Sequence, residues 1–159
     1  MKTAILFESW HHGNTKKLCE AIKKEYDVTL LDVKEDAVEL EEYDLICIAS
    51  GVSFSKFYKE IEQATKDKMP EGKKVFLMYT CGKLGQDFAK NIKKTLSLKK
   101  CIILGTYCCK GHDTFGPLKL IGGLNKENPN EDDIQGAVKF YGEIIANFNK
   151  GDAPNGNVN

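Results

Sequence analysis

The sequence predicts an α/β fold in which helices cover both faces of a parallel sheet. Five short apolar segments with strand character alternate with amphipathic helical segments. The first strand lacks a regular apolar/polar alternation, which is typical of a central strand buried on both faces. A length of 159 residues suits about one domain. We therefore expect a single domain over residues 1–150, followed by a disordered tail over residues 151–159, which are rich in Gly, Asn and Asp.

The first half of the chain contains three of the predicted strands. Its elements, in order, are a strand over residues 2–7, a helix over 14–25, strands over 28–33 and 45–49, and a helix that ends at the Met-Pro-Glu-Gly sequence 69–72. The inward stripe of this second helix is expected to be Phe57 or Tyr58, Ile61 and Ala64.

The second half continues the alternation and contains one long connection. Its predicted elements are a strand over residues 74–79, a helix over 87–96, a strand over 101–106, a connection over 107–129 and a last helix whose acidic first turn begins at Asn130. A connection this long inside a compact domain is usually functional, although this one could equally be a structural flap over the sheet edge.

The loop after the first strand has the composition of an anion-binding site. The first N–H groups of a helix that begins near Asn14 attract an anion, and Gly13 allows close approach of the backbone. Hydroxyl, amide and imidazole donors surround that position, and they are Ser9, His11, His12, Asn14 and Thr15. No Lys or Arg lies in this loop, which favours a tightly held cofactor phosphate over a transferable one. The alternative is an ordinary helix N-cap with a glycine turn.

Two later strands also end in loops of small residues. Gly51 and Phe54 follow the third strand, and Thr80, Cys81 and Gly82 follow the fourth. Aromatic side chains near Phe54 could wall a flat ring, or they could simply start the inward stripe of the next helix. Taken alone, the pattern favours a core position for Phe57 and leaves Phe54 open.

The loop after the first strand, Ser9 to Thr15, resembles the phosphate loop of flavodoxins and flavodoxin-like proteins, whose usual form is S/T-x-T-G-N-T. Gly13, Asn14 and Thr15 match directly, whereas His11 and His12 replace small hydroxyl residues. The resemblance extends over almost the whole chain, and residues 105–129 resemble a stretch found in a subgroup of bacterial flavodoxin family proteins. It implies a flavodoxin-like three-layer sandwich with strand order 2-1-3-4-5, in which strands one, three and four end around one crevice.

The resemblance also implies a non-covalent FMN cofactor and the residues that hold it. These residues are Ser9, His11, His12, Gly13, Asn14, Thr15, Gly51, Val52, Ser53, Phe54, Thr80, Cys81, Gly82 and Lys83. The protein would carry electrons between redox partner proteins or small-molecule donors and acceptors. The flavin would do the chemistry, so no catalytic residue is expected. Cys81 could be a redox-active thiol, but a small residue that makes a backbone contact is the favoured interpretation.

Two alternatives compete with the carrier function. The first is a flavin-dependent NAD(P)H or quinone reductase on the same fold, whose substrate pocket residues 107–129 could form. The second is a nucleotide-binding or signalling module. Asp32 stands near the position of a ribose-binding acid, but Gly13 is the only glycine in a loop where three are wanted. A receiver domain would need an Asp where Ser50 stands.

Composition restricts the partners. Lys plus Arg equals Asp plus Glu, at 23 each, so net charge does not favour nucleic acid or an anionic membrane. A cytoplasmic location with six reduced cysteines is expected, because no signal-like apolar segment follows Met1 and no C-x-x-C pair is present. A zinc site of Cys108, Cys109 and His112 lacks a second ligand cluster, so no metal is expected. The oligomeric state stays open.

Lysines near the ring loops predict a shift in redox potential. Lys56, Lys59 and Lys83 flank the loops expected to hold the flavin ring. Positive charge stabilises the reduced flavin anion. We expect a less negative potential for forming that anion than acidic flavodoxins show.

Overall fold

The computed structural model describes residues 1–34, 37–114 and 116–150. The tail predicted for residues 151–159 lies outside the described residues. The strands are β1 (Thr3–Glu8), β2 (Thr29–Asp32), β3 (Leu45–Ser53), β4 (Lys56–Phe57), β5 (Lys74–Cys81) and β6 (Ile102–Lys110). The helices are α1 (Asn14–Glu25), α2 (Lys59–Lys68), α3 (Lys90–Leu98) and α4 (Glu131–Lys150), with one-turn or short 3-10 helices at His11–Gly13 and Gly116–Ile121.

The predicted parallel sheet is confirmed. Its strand order is β2-β1-β3-β5-β6, and β4 pairs only with β3, antiparallel to it. Counted over the five parallel strands alone, this is the expected order 2-1-3-4-5. The order changes direction between β1 and β3, which is where ligands bind in open sheets of this kind.

Helices pack on both faces of the sheet. The core on one face joins Ile5 and Phe7 to α1 and α4, and the core on the other joins Ala4 and Leu6 to α2 and α3. Adjacent residues of β1 therefore point to opposite, equally apolar faces, which explains why the sequence of this strand shows no alternation. In α4 the buried residues include Ala137, Phe140, Tyr141 and Ile144.

The last strand is longer than predicted. Residues 107–110, assigned from the sequence to the connection, continue β6 and pair with β5 as far as Cys81 opposite Lys110. Tyr107 and Cys109 belong to the core of one face and Cys108 packs on the other, so strand geometry continues to the end. The predicted ending at residue 106 was wrong because Cys-Cys-Lys contains no turn residue, and pairing with β5 decides where the strand ends.

Two helix starts also differ from the sequence prediction. Phe57 is a core residue as expected, but it lies in β4, and α2 begins only at Lys59. The helix expected from residue 87 begins at Lys90, because the Asp87 carboxylate accepts the Ala89 N–H at 3.0 Å and forms a turn before the helix. The start of α4 follows the prediction closely, since Asn130 Oδ1 accepts the Asp133 N–H at 2.9 Å as a helix cap.

Candidate functional site

The loop after β1 turns sharply before α1 begins. His12 and Gly13 have φ angles of 64° and 65°, and the second of these favours glycine. These two residues complete the one-turn helix that starts at His11, and α1 follows directly at Asn14. Ser9 Oγ accepts the Lys16 N–H at 3.2 Å, so the hydroxyl lies beside the first turn of α1. The helix N-terminus and its polar loop therefore face the carboxyl edge of the sheet.

Hydrogen bonds fasten the start of α1 to the neighbouring strands. Thr15 is buried, and its hydroxyl lies 3.0 Å from the Thr80 hydroxyl at the end of β5. Asn14 Nδ2 donates to the carbonyl oxygen of His112, just after β6, at 2.9 Å. Asn14 Oδ1 is buried and has no hydrogen-bond partner within the described residues. The amide group therefore holds the segment after β6 with one atom and keeps an acceptor available with the other.

A pair of stacked histidines also links the loop after β1 to the segment after β6. The His12 and His112 rings have centroids 3.9 Å apart and an interplanar angle of 21°. His12 Nε2 also lies 3.3 Å from the Thr114 hydroxyl, and His112 Nε2 lies 3.2 Å from the Gly122 carbonyl oxygen. Residues 111–114 and 116–125, which we call the flap, thus contact the loop after β1.

β3 and β4 form a tight hairpin, and Gly51, which was predicted to follow the third strand, lies within β3 because this pairing extends the strand to Ser53. Ser50 Oγ accepts the Tyr58 N–H at 3.1 Å and donates to the Gly51 carbonyl oxygen at 2.7 Å. A Cβ atom at Gly51 would collide with the Tyr58 hydroxyl and ring, so the glycine is needed for close approach. Phe54, at the tip of the turn, has φ 49° and is 80% exposed. The hairpin thus presents a large aromatic side chain to solvent at the carboxyl edge.

The turn after β5 is held by the flap. Asn125 Nδ2 donates to the Gly82 carbonyl oxygen at 2.8 Å, and a Cβ atom at Gly82 would lie 2.5 Å from Asp113 Oδ2. The Cys81 thiol donates weakly to the Lys83 carbonyl oxygen at 3.4 Å. Burial raises the pKa of that thiol to about 12. Cys81 is therefore protonated near neutral pH and is a poor nucleophile.

A cavity of about 270 Å³ lies where these turns meet. The predicted site residues that line it are Asn14, Gly51, Val52, Ser53, Phe54, Thr80, Cys81, Gly82 and Lys83. The remaining predicted residues, Ser9, His11, His12, Gly13 and Thr15, lie in the adjoining loop and first helical turn. The structure thus brings the three predicted loops to one crevice.

Sequence reasoning missed several residues of the cavity wall. Gly111, His112, Asp113 and Leu124 come from the flap, and Ser55, Tyr58 and Phe88 complete the wall. The flap was suspected to be functional, but no local pattern singled out its individual residues. Asp113 and Leu124 are brought together by an isolated β-bridge, a contact that no local sequence pattern displays.

A second group missed from the sequence lies beside the cavity. Glu8, at the end of β1, is 1% exposed, accepts the Trp10 indole N–H and lies 3.0 Å from Lys34 Nζ. Lys34 Nζ also lies 3.8 Å from the centroid of the Trp10 ring, and that ring packs 5.5 Å from the ring of Tyr58. Burial, followed by the nearby charges of Glu8 and Asp113, raises the pKa of Tyr58 to about 12. This group ties the loop after β1 to the hairpin after β3.

Two further features concern metals, thiols and membranes. All six cysteines are free, and the described residues contain no group of three or more His, Cys, Asp or Glu side chains placed to hold a metal ion. Among the helices of the described segments, none combines the length and the apolar composition needed to cross a bilayer.

Comparison with known proteins gives relatives along most of the chain. A relative from Methanocaldococcus jannaschii, an uncharacterized protein, is 39% identical over 150 residues, which cover 92% of this chain and 100% of the relative. Flavodoxin 1 from Bacillus cereus has a similar fold, with a TM-score of 0.67 at 17% identity over 92% of this chain and 98% of that one. A Fusobacterium nucleatum flavodoxin bound to flavin mononucleotide also has a similar fold, with a TM-score of 0.64 at 16% identity. The match covers 92% of this chain and 98% of that one.

At these identities the two solved structures show a shared fold. The family model described as a flavodoxin domain adds a match in sequence, over residues 4–103. That range includes nearly all of β1, β2 to β5 and the loop from Ser9 to Thr15, together with the turns after β3 and β5 that line the cavity. By this match, the chain belongs to the flavodoxin domain family.

Proposed function

We propose that this protein binds FMN without a covalent bond and carries electrons between redox partners. The observation that carries the proposal is the meeting of three loops at one crevice, with the N-terminus of α1 at one end and a cavity between glycine turns at the other. A phosphate suits the N-terminus of α1, and a flat ring suits the cavity. The flavin mononucleotide bound to the Fusobacterium nucleatum flavodoxin supports the choice of cofactor.

The residues at the helix end fit the phosphate and the sugar alcohol chain of FMN. A Cβ atom on Gly13 would meet no heavy atom within 4 Å, so there is open space beside the positive end of α1. The Ser9 hydroxyl accepts from Lys16 and can still donate its own proton to a phosphate oxygen. Asn14 Oδ1, buried without a partner in the described residues, suits a hydroxyl donor of the ligand.

The residues at the cavity fit a flat, partly polar ring. Phe54, Phe88 and Leu124 supply apolar surface, and Gly51 and Gly82 line the wall without side chains of their own. A volume of about 270 Å³ is close to the lower limit of typical ligand pockets, about 300 Å³. When bound, FMN supplies the capacity to take and release one or two electrons.

The residues of this chain then bind, orient and tune the cofactor. The Cys81 thiol, held protonated by burial, contributes packing and a small side chain. Lys83 and Asp113 both line the cavity and act on the charge of the ring with opposite signs. The sequence-based prediction of a raised potential counted only the lysines, and Asp113 reduces the expected effect.

A reductase is the second candidate, and the flap favours it. His112, Asp113 and Leu124 form one wall of the cavity, so the flap could hold a second substrate beside the ring. Steady oxidation of NADH or NADPH by the FMN-loaded protein, with a quinone as acceptor, would support the reductase. Rapid exchange of electrons with proteins, without such turnover, would support the carrier.

The test of the proposal is a titration of the purified chain with FMN. Trp10 is the single tryptophan and lies 5.5 Å from Tyr58 of the cavity wall, so its emission should fall as FMN binds. Riboflavin, which lacks the phosphate, should bind at least tenfold more weakly. Gly13→Val should weaken FMN binding strongly and riboflavin binding much less, because a side chain there would fill the open space at the helix end. Unchanged Trp10 emission and no detectable heat with FMN would exclude the function.

A further inference from the structure

The surface around the mouth of the cavity combines exposed apolar side chains with lysines. We call this surface the rim. It consists of residues 53–57, 82–86 and 116–127, of which Ser53, Phe54, Ser55, Gly82, Lys83 and Leu124 line the cavity and the others adjoin them in the chain. Its exposed apolar residues are Phe54, Leu84, Leu120, Ile121 and Leu124. Phe54 and Leu120 are 80% and 90% exposed. An apolar patch of this kind next to a ligand cavity is typical of a surface that binds another molecule.

The lysines of the rim are not neutralised within it. Lys56, Lys83, Lys119 and Lys126 are all exposed, and none forms an ion pair in the described part of the chain. Glu127 is the one exposed acid among the described residues of the rim. Asp113, which lies outside the rim, is half-buried in the cavity wall. The whole chain has equal numbers of acidic and basic residues. The rim is therefore a local excess of positive charge on a neutral protein.

Acids close to the rim are already engaged or lie on other surfaces. The Asp87 carboxylate pairs with Lys93 at 2.9 Å, and Glu8 is buried with Lys34 at 3.0 Å. The acidic start of α4 lies beside α1, where Glu131 lines a surface groove with Lys17 and Lys24. None of these acids forms an ion pair with a rim lysine among the residues that the structure describes.

From this arrangement we propose that the rim docks a small redox protein whose own redox centre is surrounded by carboxylates, and the proposal rests on the proposed electron-carrier function. An apolar centre with a charged border is the usual anatomy of a protein interface. Opposite charges at the border speed encounter and set orientation. A second copy of this chain does not fit, because a symmetric pair of rims would place lysines against lysines. A protein with a basic docking surface is repelled for the same reason.

A donor that releases one electron per molecule would have to deliver two electrons across the rim to reduce the flavin fully. A plant-type [2Fe–2S] ferredoxin releases one electron per molecule. Two reduced ferredoxins would be oxidised, and the bound flavin would take up both electrons with a proton from solvent. Such a ferredoxin, chosen with a strongly negative net charge, is a suitable probe. Cytochrome c, which is positively charged, is the opposite-sign control.

The decisive test is direct binding, measured by calorimetry with the FMN-loaded protein. The dissociation constant for the ferredoxin should rise at least tenfold between low and physiological ionic strength, and cytochrome c should bind far more weakly. The triple variant Lys56→Glu, Lys119→Glu, Lys126→Glu should weaken ferredoxin binding at least tenfold at low ionic strength. The matched control is Lys23→Glu, Lys66→Glu, Lys94→Glu, which makes the same change in net charge with exposed lysines outside the rim.

The outcomes separate this inference from the proposed function. Equal weakening by the two triple variants, binding that salt does not change, tighter binding of cytochrome c, or self-association through the rim would each overturn the inference while FMN binding stands. Absence of FMN uptake by the unmodified chain would overturn the proposed function. The rim variants change no residue predicted to hold FMN, so their FMN affinity should stay within threefold of that of the unmodified protein.

Discussion

The His12 and His112 rings stack with their centroids 3.9 Å apart, which joins the loop after β1 to the flap after β6. The Asn14 side chain makes a parallel link to the His112 carbonyl oxygen. A loop predicted from the sequence to hold a phosphate is thus held in place by residues about 100 positions later in the chain. The flap is therefore part of the candidate site, and the consequences of loosening it can be measured.

Replacing His112 with Ala should weaken FMN binding about fivefold, because an aromatic pair contributes about 1 kcal/mol. The backbone link from Asn14 remains, so the flap should loosen without detaching. Hydrogen exchange of residues 112–125 should become faster, and FMN should dissociate more quickly. Leu120→Ala, in the same flap but 90% exposed, is the matched control and should change neither quantity. Unchanged exchange in the His112 variant would show that the stacking does not hold the flap.

Gly51 and Tyr58 should show strong coupling in a double-mutant cycle. A Cβ atom at Gly51 would collide with the Tyr58 ring, so Gly51→Ala should destabilise the fold by about 1–3 kcal/mol. Tyr58→Ala removes the obstacle, and adding Gly51→Ala to it should cost much less. Denaturant unfolding of the four proteins measures the coupling. Additive effects would mean that the hairpin after β3 accommodates the methyl group in another way.

The fold was predictable because its signals are local. Each buried strand is followed by an amphipathic segment, and the helix that begins at Asn14 follows a glycine turn that the sequence displays directly. The same holds for the start of α4, where Asn130 and Asp133 form a cap from neighbouring residues. Such features do not depend on distant parts of the chain.

The parts that escaped prediction depend on long-range contacts. The end of β6 is set by pairing with β5, and the position of His112 is set by Asn14. Glu8 looked like an ordinary polar residue after a strand, yet it is buried with Trp10 and Lys34. A charged residue directly after an apolar run, with the single tryptophan two positions later, is the signal that could have indicated a buried pair.

Cys81 should resist alkylation. Burial raises its pKa to about 12, so at pH 8 the thiolate fraction is about a thousandfold lower than in an unfolded chain with a pKa near 9. Iodoacetamide should label Cys81 slowly in the folded protein and readily in urea, as measured by mass spectrometry of its peptide. The folded labelling rate should rise about tenfold per pH unit up to about pH 12, provided that the protein stays folded.

The same reasoning predicts that the sulfur is not needed for FMN binding. Cys81→Ala keeps a small side chain at the end of β5 and should leave the dissociation constant within about threefold of the unmodified value, a difference of less than about 0.7 kcal/mol. Cys81→Leu would add volume at the cavity wall and should weaken binding. Rapid labelling of folded Cys81 at neutral pH, or loss of FMN binding in the Ala variant, would assign the thiol a direct role.

Lys83 and Asp113 should move the flavin potential in opposite directions. Both line the cavity, and a positive side chain stabilises the reduced flavin anion whereas a negative one destabilises it. Lys83→Gln should therefore make the potential more negative and Asp113→Asn less negative, each by about 20–60 mV at low ionic strength, as expected for one charge near the ring in a partly solvated site. Lys94→Gln, an exposed site on α3, is the control for net charge and should shift the potential by only a few millivolts.

Because the Debye length is about 8 Å in physiological salt, the difference between the two cavity variants should shrink as salt is added. Potentiometric titration of the FMN-loaded proteins gives the values directly. Shifts of the same sign in both variants would show that changes in packing, rather than charge, control the potential at this site.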